Sequence, residues 1–160
     1  DIPAGGDDRF SQHFLIDDPL DLMVPLDHPL ADRDSVSIGD TVDETWILGR
    51  PGTTYHQLLM ASCAAAGFKP RIGHFANDWN TGTALVSAGF GVCVASRLSR
   101  SQDLHPVRRI PLSGDNSPSR HVAAVTRAGA DTRETVRFTL ETLAEEAQRL
   151  MGRFEHDLTG

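Results

Sequence analysis

The run Gly91-Val92-Cys93-Val94-Ala95 constrains the fold more than any other segment. It is apolar without alternation, so a strand built from it has both faces to bury. Such a strand belongs in a sheet covered by helices on two sides. The neighbouring segments supply them. Thr53 is placed to cap a helix from about Thr54 to Ala66, whose apolar positions Tyr55, Leu58, Leu59, Met60, Cys63 and Ala66 lie mostly three or four apart. Gly67 is its stop. A second helix is expected over about Gly82 to Ala88, with Asn80 or Thr81 as its cap and Gly89 as its end.

Strand signals fall between these helices. His13-Phe14-Leu15-Ile16 is a short apolar run, expected to end at Asp17-Asp18-Pro19, and Leu20 to Leu26 is a second strand before the turn Asp27-His28-Pro29. Residues 31–45 are polar and acidic, with Val36, Ile38 and Val42 as sparse apolar anchors. Trp46-Ile47-Leu48, Pro70 to Phe75, Pro106 to Leu112 and Val122 to Val125 complete the strand set. A long helix over about Thr132 to Arg153 carries the apolar stripe Val136, Leu140, Leu143, Ala147 and Leu150. Asp131 and Glu134 suggest a capping-box-like start, and Arg137 with Glu141 and Glu145 with Arg149 are i,i+4 opposite charges. Residues 1 to 10 read as a loose end. The class is therefore α/β with a largely parallel sheet.

Composition removes several functions. The formal net charge is −7, which repels a phosphate backbone, so the chain is a poor DNA-binder by itself. A local basic patch at Arg97, Arg100, Arg108 and Arg109 stays open beside ordinary solvated surface. No stretch approaches a membrane-spanning length, and the start of the chain lacks the pattern of a signal peptide. Cys63 and Cys93 sit among apolar neighbours and are expected to be buried, reduced thiols in a cytoplasmic protein. The histidines have no zinc spacing. The Gly89-Phe90-Gly91 pair follows a helix and precedes a strand, the reverse of a dinucleotide fingerprint. There is no nucleophile elbow, P-loop or catalytic constellation. No catalysis, metal or cofactor is expected.

Two loops are the candidate binding positions. Gly49-Arg50-Pro51-Gly52-Thr53-Thr54 follows a strand and opens a helix. Helix N-termini carry unpaired N–H groups and a partial positive charge, which suit carboxylates. Asn77-Asp78-Trp79-Asn80-Thr81 lies between the next strand and helix, where an aromatic flanked by amides and a hydroxyl could wall a pocket. Each loop also admits a plainer reading, the first as a capped turn and the second as a core plug at Trp79 with a helix cap.

Taken in order, the segments resemble one family. LMVPLDHPLA (Leu22 to Ala31) resembles the crossover of LysR-type effector-binding domains. TWILG (Thr45 to Gly49), AAGFKPRI (Ala65 to Ile72) and ALVSAGFGVCVASRLS (Ala84 to Ser99) follow with the family's order and spacing. RRIPL, HVAAVTR and the long helix complete the match over roughly residues 12–150. The resemblance implies a fold similar to type II periplasmic binding proteins, with two α/β lobes joined by two crossover strands.

On that basis residues 1–23 are the end of the first segment of lobe 1, 24–112 are lobe 2, and 113–160 return to lobe 1. Val24 and Leu112 mark the hinge. The family implies a small-molecule effector bound between lobes at the two loops above, and the helix start at Gly49 to Thr54 favours an anionic one. It also implies homo-oligomers and DNA contact through a helix-turn-helix outside this chain. The first half of lobe 1 is likewise expected to lie outside it, so that the chain exposes an apolar patch and self-associates. Effector binding would shift a population of lobe arrangements and so the geometry of the oligomer on DNA. The alternative is a solute-binding receptor module of the same fold class.

Overall fold

The computed structural model describes residues 7–99 and 105–157. The strands are β1 (Phe10–Pro25), β2 (Thr45–Leu48), β3 (Arg71–Phe75), β4 (Cys93–Ser96), β5 (Val107–Pro111) and β6 (Ser119–Arg127). The helices are α1 (Thr54–Ala65), α2 (Trp79–Ser87) and α3 (Glu134–Asp157). No helix among the described residues is long and apolar enough to cross a membrane. The chain divides into two compact units, one of residues 1–17 and 121–160, the other of residues 18–120.

The larger unit holds the two-faced strand as expected. β2 pairs with β3 in parallel, and a parallel bridge from Trp46 to Val92 carries the sheet on toward β4. Ile47 N donates to Val92 O and Val92 N to Thr45 O, both at 2.8 Å. β4 and β5 then flank β1, each antiparallel to it. The sheet is thus mixed: its α1 and α2 crossovers are parallel, and the largely parallel expectation gives way where β1 enters. Alternate side chains go to opposite faces. Leu22, Val24, Trp46, Leu48, Val92 and Val94 share one core with Leu59 and Cys63 of α1. Met23, Ile47, Cys93 and Ala95 share another with Val86 of α2. Burying each large apolar side chain contributes about 1.5–3 kcal/mol.

Gly91 makes the joint possible. Its φ is +144°, and a Cβ there would overlap the Thr45 carbonyl oxygen. Gly67 and Gly89, the expected helix stops, have φ of +86° and +77°. The His28 turn is closed by His28 N to Pro25 O at 3.2 Å, by Leu30 N to His28 Nδ1 at 3.2 Å, and by His28 Nε2 against Glu44 at 3.3 Å.

Several expectations are corrected. The two strands foreseen before residue 26 are one, β1, which also takes in Phe10 from the expected loose end; residues 1–6 of that end lie outside the described residues. Asp17-Asp18-Pro19 does not break it. The strand changes partners there, so no ladder N–H is demanded of Pro19, whose carbonyl accepts from Arg97 N at 2.9 Å. The hinge expectation at Val24 and Leu112 stands apart from these corrections: both residues are buried within the larger unit. The expected basic patch does not form among the described residues. Arg97 and Arg109 pair with Asp21, Arg108 Nε donates to Ala31 O, and Arg100 lies outside the described residues.

The smaller unit contains the first part of β1, most of β6, and α3. His13 Nε2 meets Thr126 Oγ1 at 3.2 Å, and Asp17 pairs with His121. Asp131, expected at the start of α3, falls instead in a short 3₁₀ turn over Ala130–Thr132, closed by the Thr132 hydroxyl on Gly129 O, and Arg133 is extended. On α3, Ala147 is buried while Val136, Leu140 and Leu150 are half-buried and Leu143 is exposed. Arg137 and Glu141 pair as foreseen, but Arg149 chooses Glu146 over Glu145. Phe14 and Phe138 are 61% and 68% exposed, so this unit presents apolar surface.

Candidate functional site

The first expected loop is built by the end of β2 and the start of α1. Gly49 allows the chain to close tightly on the cap, since a Cβ there would lie 2.7 Å from Thr53 Oγ1. Thr53 Oγ1 accepts from His56 N at 3.3 Å and donates to Arg50 O at 2.9 Å. Its hydroxyl is therefore committed to the turn. The His56 ring braces the same turn through Nδ1 and Gly49 O, 3.1 Å apart.

The second loop differs from the sequence expectation. α2 begins at Trp79 rather than Gly82, and its cap is Asp78 rather than Asn80 or Thr81. Asp78 Oδ1 accepts from Thr81 N at 2.9 Å and Oδ2 from the Thr81 hydroxyl at 2.8 Å. These bonds hold its carboxyl below the usual range. The charge of Asp78 is thus spent on the helix start. An aspartate outcompetes a later amide or hydroxyl at this position because its charge also complements the helix dipole.

Both loops line one cavity of about 350 Å³ in the larger unit. Gly49 and Thr53 come from the first, Asn77, Asp78 and Trp79 from the second. Arg50, Pro51, Gly52, Thr54, Asn80 and Thr81 are not among its lining residues. Ile47, Leu48, Cys93 and Val94 form its apolar floor. The place follows from topology. β2 lies between β3 and the Val92 segment, so the crossover through α1 goes to one side and that through α2 returns to the other. Ligand sites in open α/β sheets form at such switch points, outside the carboxyl ends of the strands.

Among the lining residues that the sequence reading did not assign to a site, Tyr55 alone carries a hydroxyl. Tyr55 packs edge-on against Trp79, ring centroids 4.8 Å apart, and forms a wall of the cavity. It had been assigned to the apolar face of α1. The available signal was a polar-tipped side chain on an apolar stripe, two residues after a cap. Its hydroxyl is buried beside Ser96 and makes no hydrogen bond of good geometry. Burial raises its pKa; the Arg120 charge and the nearby Ser96 hydroxyl oppose the shift, and the Asp18 charge adds to it. The phenol is therefore a neutral donor at pH 7.

Beside Tyr55 lies a charged cluster that the sequence did not announce. Asp18 is fully buried. It accepts from Arg120 Nε at 2.6 Å, the Ser96 hydroxyl at 2.5 Å and Leu98 N at 3.1 Å. Arg120 Nη2 also reaches Ser96 Oγ at 3.0 Å. Asp21 accepts from Arg97 Nε and Arg109 Nε, each at 2.9 Å. Every carboxylate in this cluster is matched by guanidinium groups, as buried charge requires.

Comparison with known proteins identifies the family and the fold. A model of the LysR substrate binding domain matches residues 2–148. The uncharacterized HTH-type transcriptional regulator YwbI of Bacillus subtilis is 31% identical over 127 residues, covering 79% of this chain and 42% of that protein. The HTH-type transcriptional regulator CatR of Pseudomonas putida is 27% identical over 146 residues, 89% of this chain and 49% of its own length. The chain thus spans less than half of either. Among solved structures, the BenM effector binding domain with its effector benzoate has a TM-score of 0.75 at 20% identity, covering 92% of this chain and 67% of that one. The effector binding domain of QuiR in complex with shikimate has a TM-score of 0.71 at 18% identity, covering 92% and 69%. The fold is that of these effector-binding domains, and the chain belongs to the LysR substrate-binding domain family.

Proposed function

We propose that the chain is the effector-sensing part of a LysR-type transcription regulator and that its cavity takes one small, anionic molecule. The observation that carries this reading is that the start of α1, the Trp79 ring and the Tyr55 phenol meet on one apolar-floored cavity. A carboxylate there would meet the N-terminus of α1 and the Tyr55 O–H, while its body would lie against Trp79 and the apolar floor. Asp78 is the one acidic lining residue, and its oxygens already accept from α2. The site residues remain Gly49, Thr53, Asn77, Asp78 and Trp79, with Tyr55 added.

The role is binding rather than catalysis, in the cytoplasm, with no cofactor. DNA contact and homo-oligomer assembly belong to the whole regulator, whose relatives carry helix-turn-helix names. Occupancy would act by favouring one conformation of the chain over another. The neighbours' effectors, benzoate and shikimate, are the first probes. A ligand at a hundred times its Kd adds about 2.7 kcal/mol of stability. Thermal unfolding of the chain against each sodium salt should therefore show a rise in Tm for at least one, abolished by Trp79→Ala. A rise for neither, or one that survives Trp79→Ala, overturns the assignment.

A further inference from the structure

Tyr55 is a wall of the cavity on one side and a neighbour of charge on the other. The Arg120 guanidinium lies over its ring, 5.9 Å from the centroid, within the range of a cation–π attraction. The same guanidinium holds Asp18 and the Ser96 hydroxyl. Asp18 and Arg120 are also the residues at which the chain enters and leaves the larger unit. Leu20 N donates to Pro118 O at 3.1 Å beside them.

We infer that Arg120 is a positioning residue that ties the Tyr55 wall of the cavity to Asp18, and so to the two points where the chain passes between its units. A guanidinium is planar, and its fork is filled here by two acceptors while its cation faces the ring. It cannot follow a displaced ring without drawing on its bonds to Asp18. A fully buried carboxylate tolerates that poorly, so Asp18 and the strands that carry it must adjust. An occupant that engages the phenol perturbs this link, and by reciprocity the state of the link sets the affinity for the occupant. The role as transmitter rests on the effector reading above; the link itself exists without an occupant.

The chain has a single tyrosine, so a ¹³Cζ label on tyrosine gives one NMR signal, read in the whole chain. Asp18→Asn is expected to displace that signal, and Arg120→Lys, which keeps the charge and loses the fork, to remove at least half of the displacement. An equal displacement in both backgrounds, or none, overturns the inference. Should Asp18→Asn fail to fold, judged by the amide spectrum of α1, Asp18→Glu, which keeps the charge but moves it by one methylene, takes its place with the same two outcomes. Sodium benzoate and shikimate are then titrated. Movement of the tyrosine signal with the Leu20 and Leu98 amides in the parent chain, and of the tyrosine alone in Arg120→Lys, supports transmission. Movement of all three in Arg120→Lys refutes it. No movement with either probe counts against the effector reading and leaves the link standing on the first comparison.

Discussion

Gly91→Ala tests whether one backbone approach holds the cavity's sheet together. Its φ of +144° is unfavourable for any L side chain, and the new Cβ would overlap the Thr45 carbonyl oxygen. Strain of that kind costs roughly 1–3 kcal/mol. The overlap also pushes apart the Thr45–Val92 and Val92–Ile47 hydrogen bonds, both 2.8 Å, which contribute about 0.5–1.5 kcal/mol each. The expected loss is therefore about 2–6 kcal/mol. Gly89→Ala is the control. Its φ is +77°, but a Cβ there meets nothing within 4 Å, so only the left-handed penalty of roughly 1–2 kcal/mol applies. The assay is urea unfolding followed by tryptophan fluorescence, with Trp46 fully buried at the joint. With a slope of about 2 kcal/mol per molar, Gly91→Ala should lower the midpoint by about 1 M or more. Equal midpoints for the two variants would refute the claim that close approach, rather than φ alone, demands glycine here.

Asp18→Ala should cost about 3 kcal/mol in the same assay, the lower end for a broken buried pair, because Arg120 is 37% exposed and regains water. Asp17→Ala, on a half-exposed residue one position away, should stay within about 1 kcal/mol of the parent; a loss equal to that of Asp18→Ala would show that burial does not separate them. Asp78→Ala should cost about 1 kcal/mol through the lost α2 cap, and an unchanged midpoint would deny the capping role. Burial pushes the Cys93 thiol up to about 12 and the Cys63 thiol up to about 11. A folded-state pKa raised above the unfolded value of about 8.5 stabilises fully below that value and less as pH rises toward the folded one. Stability should therefore fall from about pH 9 upward, and Cys93→Ala, though less stable at pH 7, should lose less across that range. A parallel pH dependence in parent and variant would remove Cys93 as the cause.

What was legible in the sequence was what neighbours in the chain decide. The cap at Thr53, the stops at Gly67 and Gly89, and the two-faced run at Gly91 to Ala95 each express a local preference that the sheet also wants. The failures mark competition between local and distant partners. Asp17-Asp18-Pro19 has the composition of a turn, yet His121, Arg120 and Ser96, all distant in sequence, take up the two carboxylates and hold the segment extended. The start of α2 moved to Asp78 because a charge gains more from a helix dipole than the later candidates do.

Tyr55 is the instructive case for the site. Its spacing assigns it to the apolar face of α1, and half of its environment agrees. The other half, Trp79 from the next helix and Arg120 from beyond β5, arrives through topology alone. The two loops could be foreseen because a strand followed by a capped helix is a local signature with a known place in open α/β sheets. The residue that joins the cavity to the charged cluster could not, because nothing within α1 says which arginine will lie across its ring. The reach of sequence reasoning in this chain therefore ends where a side chain's partner is chosen by the path of the sheet.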